Sequence, residues 1–291
     1  MSASTITKDN CKFPIKFYYI IGNIFIFLPK PVCILYTYSI YIFRERKRER
    51  RREKEREYRE KMLVVQLEGN ISSGKSTFLE YLQNQYFLDL DSRLRVEFVH
   101  ESLKDWINMD NINLLELYYQ TPREYAEIFQ MYVFFTMLNN SLKSNFNDNT
   151  NLIFIERSLK TCVKCFSRLL EKKQYVRPIF YQTLSNFYEK IQNRIIHPDI
   201  IIYFKIDNND ISILQDRILK RDRKAERAIS NEYLIDLNNV YNEVINTDYS
   251  NIKKYIIPVN MSRKEQVAKY FIPITDNILD MVGYPKNKQK Y

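Results

Sequence analysis

An α/β fold, with a doubly wound five-stranded parallel sheet flanked by helices, is predicted by three features of this sequence. Five short apolar runs rich in β-branched and aromatic residues recur from residue 62 onward. Segments of helical spacing separate them. The first run passes directly into a glycine-bounded loop and then a helical stretch.

Taken in order, the runs are Leu63 to Leu67, Val96 to Val99, Leu152 to Ile155, Ile200 to Ile206 and Tyr255 to Val259. Each reads as a buried parallel strand, because strands covered on both faces lose the alternation of half-exposed ones. Helices are predicted over Pro122 to Leu142, Leu159 to Lys172, Ile179 to Ile196, Ser212 to Arg221 and Glu232 to Asp248. No internal repeat is visible. Ligands of such a sheet are expected beyond the carboxyl ends of its strands.

The 291 residues suit one large domain or two ordinary ones. A hydrophobic fraction of 45% with 14% aromatics demands a sizeable core and excludes a disordered protein. Collagen, coiled coil and disulfide scaffold are excluded as well. Cys162 and Cys165 form a CxxC inside a predicted helix, and Cys11 and Cys33 lie near the amino terminus. Buried free thiols are expected rather than zinc.

The net charge of +10 is unevenly placed. Residues 1–43 carry four Lys against one Asp, and residues 44–61 carry eight Arg and three Lys against six Glu. The remainder is nearly neutral. A nucleic-acid footprint needs its basic groups on the folded domain, so no nucleic-acid partner is expected.

From Phe17 to Phe43 the residues are mostly apolar, divided by Pro29-Lys30-Pro31 into two pieces. Each is too short for a bilayer that needs roughly 20 residues. Joined, they could span with a kink, the Arg-rich stretch then marking the cytoplasmic side. Membrane contact through residues 17–43, as an N-terminal anchor, is one expectation. A solvated helix or linker over residues 44–61 is another, and translation beginning at Met62 a third. The expected division is an extension over residues 1–61 and a folded domain over 62–291. The amino terminus lacks the marks of a cleaved signal peptide and fits a mitochondrial presequence poorly.

The loop after the first strand reads Gly69-Asn70-Ile71-Ser72-Ser73-Gly74-Lys75-Ser76-Thr77. This is G-x-x-x-x-G-K-S in the strand–loop–helix setting it requires. Backbone N–H groups and the helix N-terminus cradle polyphosphate, the Lys ammonium neutralises charge, and the Ser hydroxyl reaches Mg²⁺. ATP and Mg²⁺ are the expected cofactors. Only four glycines occur in the chain, and two stand where the backbone must turn or approach a phosphate. The competing reading is an ordinary βα turn.

Two further strand ends carry charge: Glu101 after Val96 to Val99, and Glu156-Arg157 after Leu152 to Ile155. Singly, such groups are often ion-paired loop residues; beside a phosphate loop they propose catalysis. Arg217, Arg221 and Arg223, followed by Glu226, fall at the end of a predicted helix. They suit either closure over a phosphoryl group or a basic terminus favoured by the helix dipole. On the helix after Pro122, Phe129, Gln130, Val133 and Met137 share one side. The amide of Gln130 inside an apolar stripe needs partners, which a nucleobase edge would provide.

In their order along the chain these residues resemble the deoxyribonucleoside kinases. The resemblance rests on Glu68-Gly69-Asn70-Ile71, Ser73-Gly74-Lys75-Ser76-Thr77, Glu101 to Trp106, Asn113 to Leu117 with Tyr119, Phe129 to Val133, Glu156-Arg157-Ser158 and Arg221 to Glu226. It covers residues 62 to 250. It implies a P-loop kinase with an Arg-rich lid, phosphorylating the 5′-hydroxyl of deoxynucleosides for nucleotide salvage, and a homodimer.

Carried over, the resemblance implies that Glu101 accepts the 5′-hydroxyl proton. Glu156 would sit near Mg²⁺ with Ser76, as the second candidate for the base. Arg157 would hold the 5′ end and the Glu101 carboxylate. Tyr119 and Glu226 would bind the 3′-hydroxyl, Gln130 would pair with the base edge, and Phe129 and Phe166 would pack on its faces. Trp106 would line the pocket, and Arg221 and Arg223 would belong to the lid. Family members that favour deoxycytidine and purines carry Arg and Asp where this chain has Met137 and Cys162. With Val133 also present, the pocket resembles those with room for the thymine methyl, so thymidine and other pyrimidine deoxynucleosides are the expected substrates.

Departures from the family pattern are Ser102 for a proline, Val163 for an arginine, and Lys160 for an aromatic or Ser. A nucleoside monophosphate kinase is a rival, but its phosphorylated acceptor wants cations where Glu101 and Glu156 stand. A catalytically silent, membrane-associated structural member of the fold is the other alternative. The compartment would be cytoplasmic or mitochondrial.

Overall fold

The computed structural model describes residues 18–21, 24–27, 62–88, 94–147 and 150–284. The chain divides into two compact units, Met1–Glu57 and Tyr58–Tyr291. In the first, β1 (Tyr18–Ile21) and β2 (Ile24–Phe27) pair antiparallel with Tyr18 opposite Phe27. Both strands consist of Ile, Tyr and Phe, residues that suit a pleated backbone. Where it is described, the apolar segment expected to span a membrane is therefore extended. The rest of residues 17–43, the Arg/Glu stretch 44–61, Cys11 and Cys33 lie outside the described residues. No helix among the described residues is long and apolar enough to cross a membrane.

The second unit is built on five parallel strands: β3 (Leu63–Gly69), β4 (Val96–Val99), β5 (Leu152–Glu156), β6 (Ile200–Lys205) and β7 (Lys253–Pro258). Their order across the sheet is β4-β5-β3-β6-β7. Leu67 pairs with Glu156 and Gly69 with Phe204, so the carboxyl ends of the three central strands converge on one edge. The expectation of five buried strands needs correcting. β3, β5 and β6 are buried, but β4 and β7 are only partly covered. Among the described residues they form the two sheet edges, each with a neighbouring strand on one flank only.

α1 (Lys75–Tyr81) follows the loop and widens into a π-helical turn at Leu82–Tyr86. Two short helices, α2 (Leu103–Ile107) and α3 (Leu114–Gln120), were not predicted. They precede α4 (Pro122–Ser141), which opens on proline where no intrahelical donor is needed. The segment predicted as one helix over Leu159 to Lys172 is α5 (Leu159–Thr161), a π-helical turn (Cys162–Ser167) and α6 (Arg168–Lys172). α7 (Pro178–Ile191) stops short of Ile196, giving way to a 3₁₀ turn at Gln192–Arg194. α8 (Ser212–Arg221) ends on Asp222 with φ 55°, a left-handed terminator. α9 (Asn231–Thr247) follows. After β7 the chain adds α10 (Arg263–Gln266), a π turn at Val267–Phe271 and α11 (Ile272–Met281).

One core cluster lies against the sheet, where Phe78 of α1 meets Phe271 edge-on at 4.6 Å and Phe204 at 6.0 Å. It anchors the helix that carries the phosphate loop. A second gathers Trp106, Phe129, Phe134 and Tyr188 around α4. The site forms where this cluster meets the carboxyl edge of the sheet.

Candidate active site

The loop between β3 and α1 takes its shape from two glycines. Gly69 has φ 146°, and a Cβ there would stand 2.8 Å from the Phe204 carbonyl oxygen. Gly74 has φ 107° and caps α1. Both conformations lie where L side chains are strained. Asn70 accepts from the Ile71 N–H (2.8 Å) and donates to the Leu234 carbonyl (2.8 Å), tying the loop to α9. Gly69 and Asn70, expected to bind the nucleotide, shape the loop from behind its lining residues. Ile71, Ser72, Ser73, Gly74, Lys75, Ser76 and Thr77 do line it.

Lys75 is buried and donates to the carbonyls of Gly69 (3.1 Å) and Asn70 (2.8 Å). Burial, then the neighbouring Arg157, push its pKa down to about 7, against the pull of Glu156, Glu101 and Glu68. Beneath the loop, Glu68 is wholly buried and accepts from Gln66 (2.8 Å) and Thr161 (3.1 Å). Burial pushes its carboxyl up to about 7, opposed by Ser158 and Arg157.

Glu156 ends β5 and accepts from the Ser76 hydroxyl at 2.7 Å. The pair offers hard oxygen ligands beside the phosphate loop, a donor set that fits Mg²⁺. Arg157, the next residue, has φ 65°, a strained value for a non-glycine. Its guanidinium bonds the Gly69 carbonyl (2.9 Å) and the Tyr241 hydroxyl, and Nε lies 2.7 Å from Glu101 Oε1. Burial opposes its charge, but Tyr241, Glu101 and Glu156 outweigh that and raise its pKa. Glu101 lies just beyond β4. Burial lifts its carboxyl above the ordinary range, Arg157 lowers it, and Glu156 raises it again. With its side chain 21% exposed, Glu101 remains reachable from the cavity.

That cavity measures about 1010 Å³ and joins the loop to an aromatic chamber. It is roomy beside ordinary ligand pockets of roughly 300–1,000 Å³. Trp106 donates through Nε1 to Thr136 (2.9 Å) and meets Phe129 edge-on at 6.0 Å. Phe129 stacks on Tyr118 at 4.7 Å. Gln130, Val133 and Met137 line the chamber from α4, and Cys162 and Phe166 from the π turn after α5. The Arg157 guanidinium lies 4.9 Å from the Phe166 ring centroid. Cys162 and Cys165 are buried free thiols, and burial pushes Cys162 up to about 12.

Tyr119 and Glu226 line the same cavity. Burial, then Tyr233 and Glu226, hold the Tyr119 phenol well above its usual pKa. Glu226 is paired with Arg221 and with Arg223 (3.3 Å), which links this carboxylate to the two arginines. Arg217 lines the cavity as well. It donates to the carbonyls of Ser73 (3.4 Å) and Val259 (2.9 Å), bracing the loop against the end of β7. Among the family departures, Ser102 has φ −73°, near the value a proline would impose, and accepts from Asn140 (2.9 Å). Val163 is core, and Lys160 lies 4.5 Å from the Tyr249 ring centroid.

Sequence reasoning missed Tyr118, Tyr233 and Arg263 as lining groups. Arg263 donates to the Thr77 carbonyl at 2.7 Å from α10. It lies beyond a strand end, so the rule that flagged Glu101 could have found it. Tyr118 and Tyr233, with hydroxyls 3.4 Å apart, carry no such signal among 23 tyrosines.

A phosphate cradle sharing one cavity with a reachable carboxylate and an aromatic chamber defines the class as a P-loop phosphotransferase for a small ring-bearing acceptor. Residues 65–280 match the family model described as deoxynucleoside kinase. The chain belongs to that family of ATP-using nucleoside kinases, and the silent-scaffold alternative is not favoured. It is 29% identical over 186 residues to mitochondrial thymidine kinase 2 of Homo sapiens and 30% identical over 186 to that of Macaca fascicularis. Each alignment covers 64% of this chain and 65% of the relative. Deoxycytidine kinase 2 of Gallus gallus is 23% identical over 242 residues, 73% of this chain and 88% of the relative.

Proposed function

We propose that this chain transfers the γ-phosphoryl group of ATP to the 5′-hydroxyl of deoxyribonucleosides, thymidine and other pyrimidine nucleosides foremost, in nucleotide salvage. The observation that carries the reading is the Glu101–Arg157 pair at 2.7 Å, in the cavity that Lys75 and Ser76 also line. An ionised Glu101 is suited to accept the 5′-hydroxyl proton, and Arg157 holds it in place. Lys75 and the loop amides hold phosphate oxygens, and Arg221 and Arg223 close over them. Ser76 and Glu156 would hold Mg²⁺, which when bound neutralises phosphate charge. Tyr119 and Glu226 take the 3′-hydroxyl, Phe129 and Phe166 pack on the base, Gln130 reads its edge and Trp106 closes the wall.

Thymidine is favoured because the walls near the base are uncharged. Met137 and Val133 are apolar, and the raised pKa of Cys162 keeps it a neutral thiol. Steady-state assays of the full chain with four deoxynucleosides test this. Thymidine should exceed deoxyguanosine in kcat/KM by about tenfold or more, the scale of a shape-based discrimination. A higher value for deoxyguanosine contradicts the preference.

In this reading residues 62–291 are the kinase domain and residues 1–61 an extension. The similarity to enzymes named mitochondrial supports a mitochondrial or cytoplasmic site of action. A homodimer is also part of it. Ile128, Met131 and Phe135 form an exposed stripe on α4, and Ile179 and Phe187 are exposed on α7. The two helices are neighbours, Phe134 lying 5.8 Å from Phe187. Contiguous exposed apolar groups of this kind mark interaction surfaces. Sedimentation velocity should give a dimer for the wild type and a monomer for Phe135→Asp; a wild-type monomer at micromolar concentration contradicts it.

A further inference from the structure

Gln130 is buried, and its amide Oε1 accepts from the Ser167 hydroxyl at 3.1 Å. The same hydroxyl oxygen lies 3.1 Å from the Cys162 carbonyl. A hydroxyl carries one proton and donates to one of these acceptors at a time. When the proton points to Gln130, the amide keeps Oε1 against Ser167 and turns Nε2 away. When it points to Cys162, the oxygen of Ser167 becomes an acceptor. The amide is then satisfied by turning over, Nε2 against Ser167 and Oε1 away. Each arrangement satisfies both the hydroxyl and the near end of the amide. Ser167 is fully buried, so bulk water cannot replace it. The π-helical turn Cys162–Ser167 delivers it to this position, and such turns recur at functional sites.

The two amide orientations match two different bases. Thymine offers an N3–H donor beside the O4 acceptor, and cytosine offers the N3 acceptor beside an N4–H donor. An amide that reads these positions in one pose must turn over to read the other base. We infer that Ser167 is a specificity-determining positioning residue, whose single rotatable proton lets Gln130 serve either pyrimidine. The inference rests on the deoxynucleoside kinase reading and assigns Ser167 no contact with the substrate.

The test compares kcat/KM of the full chain for thymidine and deoxycytidine with that of Ser167→Ala. Alanine satisfies neither orientation, and an orphaned buried N–H is tolerated less well than an orphaned carbonyl. One orientation then dominates. The thymidine-to-deoxycytidine ratio should move by about fivefold or more, carried by KM with kcat within about twofold, as for an interaction held in ground and transition state alike. A merely structural role would lower both activities together or depress the unfolding temperature, leaving the ratio in place. A ratio within about twofold of wild type overturns the inference. Should the alanine variant not fold, Ser167→Cys, whose thiol is a weak donor, must shift the ratio as well, and an unchanged ratio overturns the inference there too. Wild-type protein that phosphorylates neither nucleoside removes the parent reading and this inference together, whereas an unchanged ratio at measurable activity refutes only the role of Ser167.

Discussion

Glu101→Gln is expected to lower kcat for thymidine phosphorylation by about 10²–10⁴-fold, the usual worth of a positioned general base, with little change in KM for ATP. The amide keeps the shape of the side chain but removes the proton acceptor and the ionic partner of Arg157 at 2.7 Å. Burial holds the Glu101 carboxyl above the ordinary carboxylate range. Protonation removes the base, so wild-type activity falls as pH drops through that raised pKa. Glu101→Gln should lose this acid limb along with the rate. A variant with wild-type kcat and an unchanged acid limb excludes Glu101 as the base.

Lys75→Ala should cost about 10²–10³-fold in kcat, the scale seen when one preorganised charge or donor is removed from a transition state. It also carries a pH signature. In the free site burial and Arg157 hold Lys75 at about 7. Phosphate charge favours the ammonium and raises that pKa in the complex, so binding above pH 7 takes up a proton. KM for ATP in the wild type should therefore rise with pH above about 7, and calorimetry in buffers of different ionisation enthalpy should detect the uptake. Both effects should vanish in Lys75→Ala. PH-independent ATP binding by the wild type contradicts the assignment.

The phosphate loop was legible because its chemistry is local. Gly69 and Gly74 are required by φ values that few other residues adopt, and they stand out in a chain with four glycines. The central strands were legible from their apolar runs, although the same runs said nothing of which two would become edges. α2 and α3 escaped notice because short helices are stabilised by packing more than by their own propensity. Asn113, whose side chain accepts from the Glu116 N–H, was a cap signal that could have located α3. The π turn that delivers Cys162, Phe166 and Ser167 left no trace in the residue pattern. An inserted residue of that kind is set by what the helix packs against. Arg217 shows the converse limit. Its place at a helix end suited closure over a phosphoryl group and a basic helix terminus equally, and only the fold reveals its bonds to Ser73 and Val259.

Label transfer from [γ-³²P]ATP by the full chain, with thymidine and with 5′-deoxythymidine as acceptors, tests the proposed chemistry most directly. Labelled thymidine 5′-monophosphate should form from the first and no labelled nucleotide from the second, with Glu101→Gln giving under about 1% of the wild-type yield. Label on 5′-deoxythymidine, or equal label with Glu101→Gln, would contradict a carboxylate-activated 5′-hydroxyl as the acceptor.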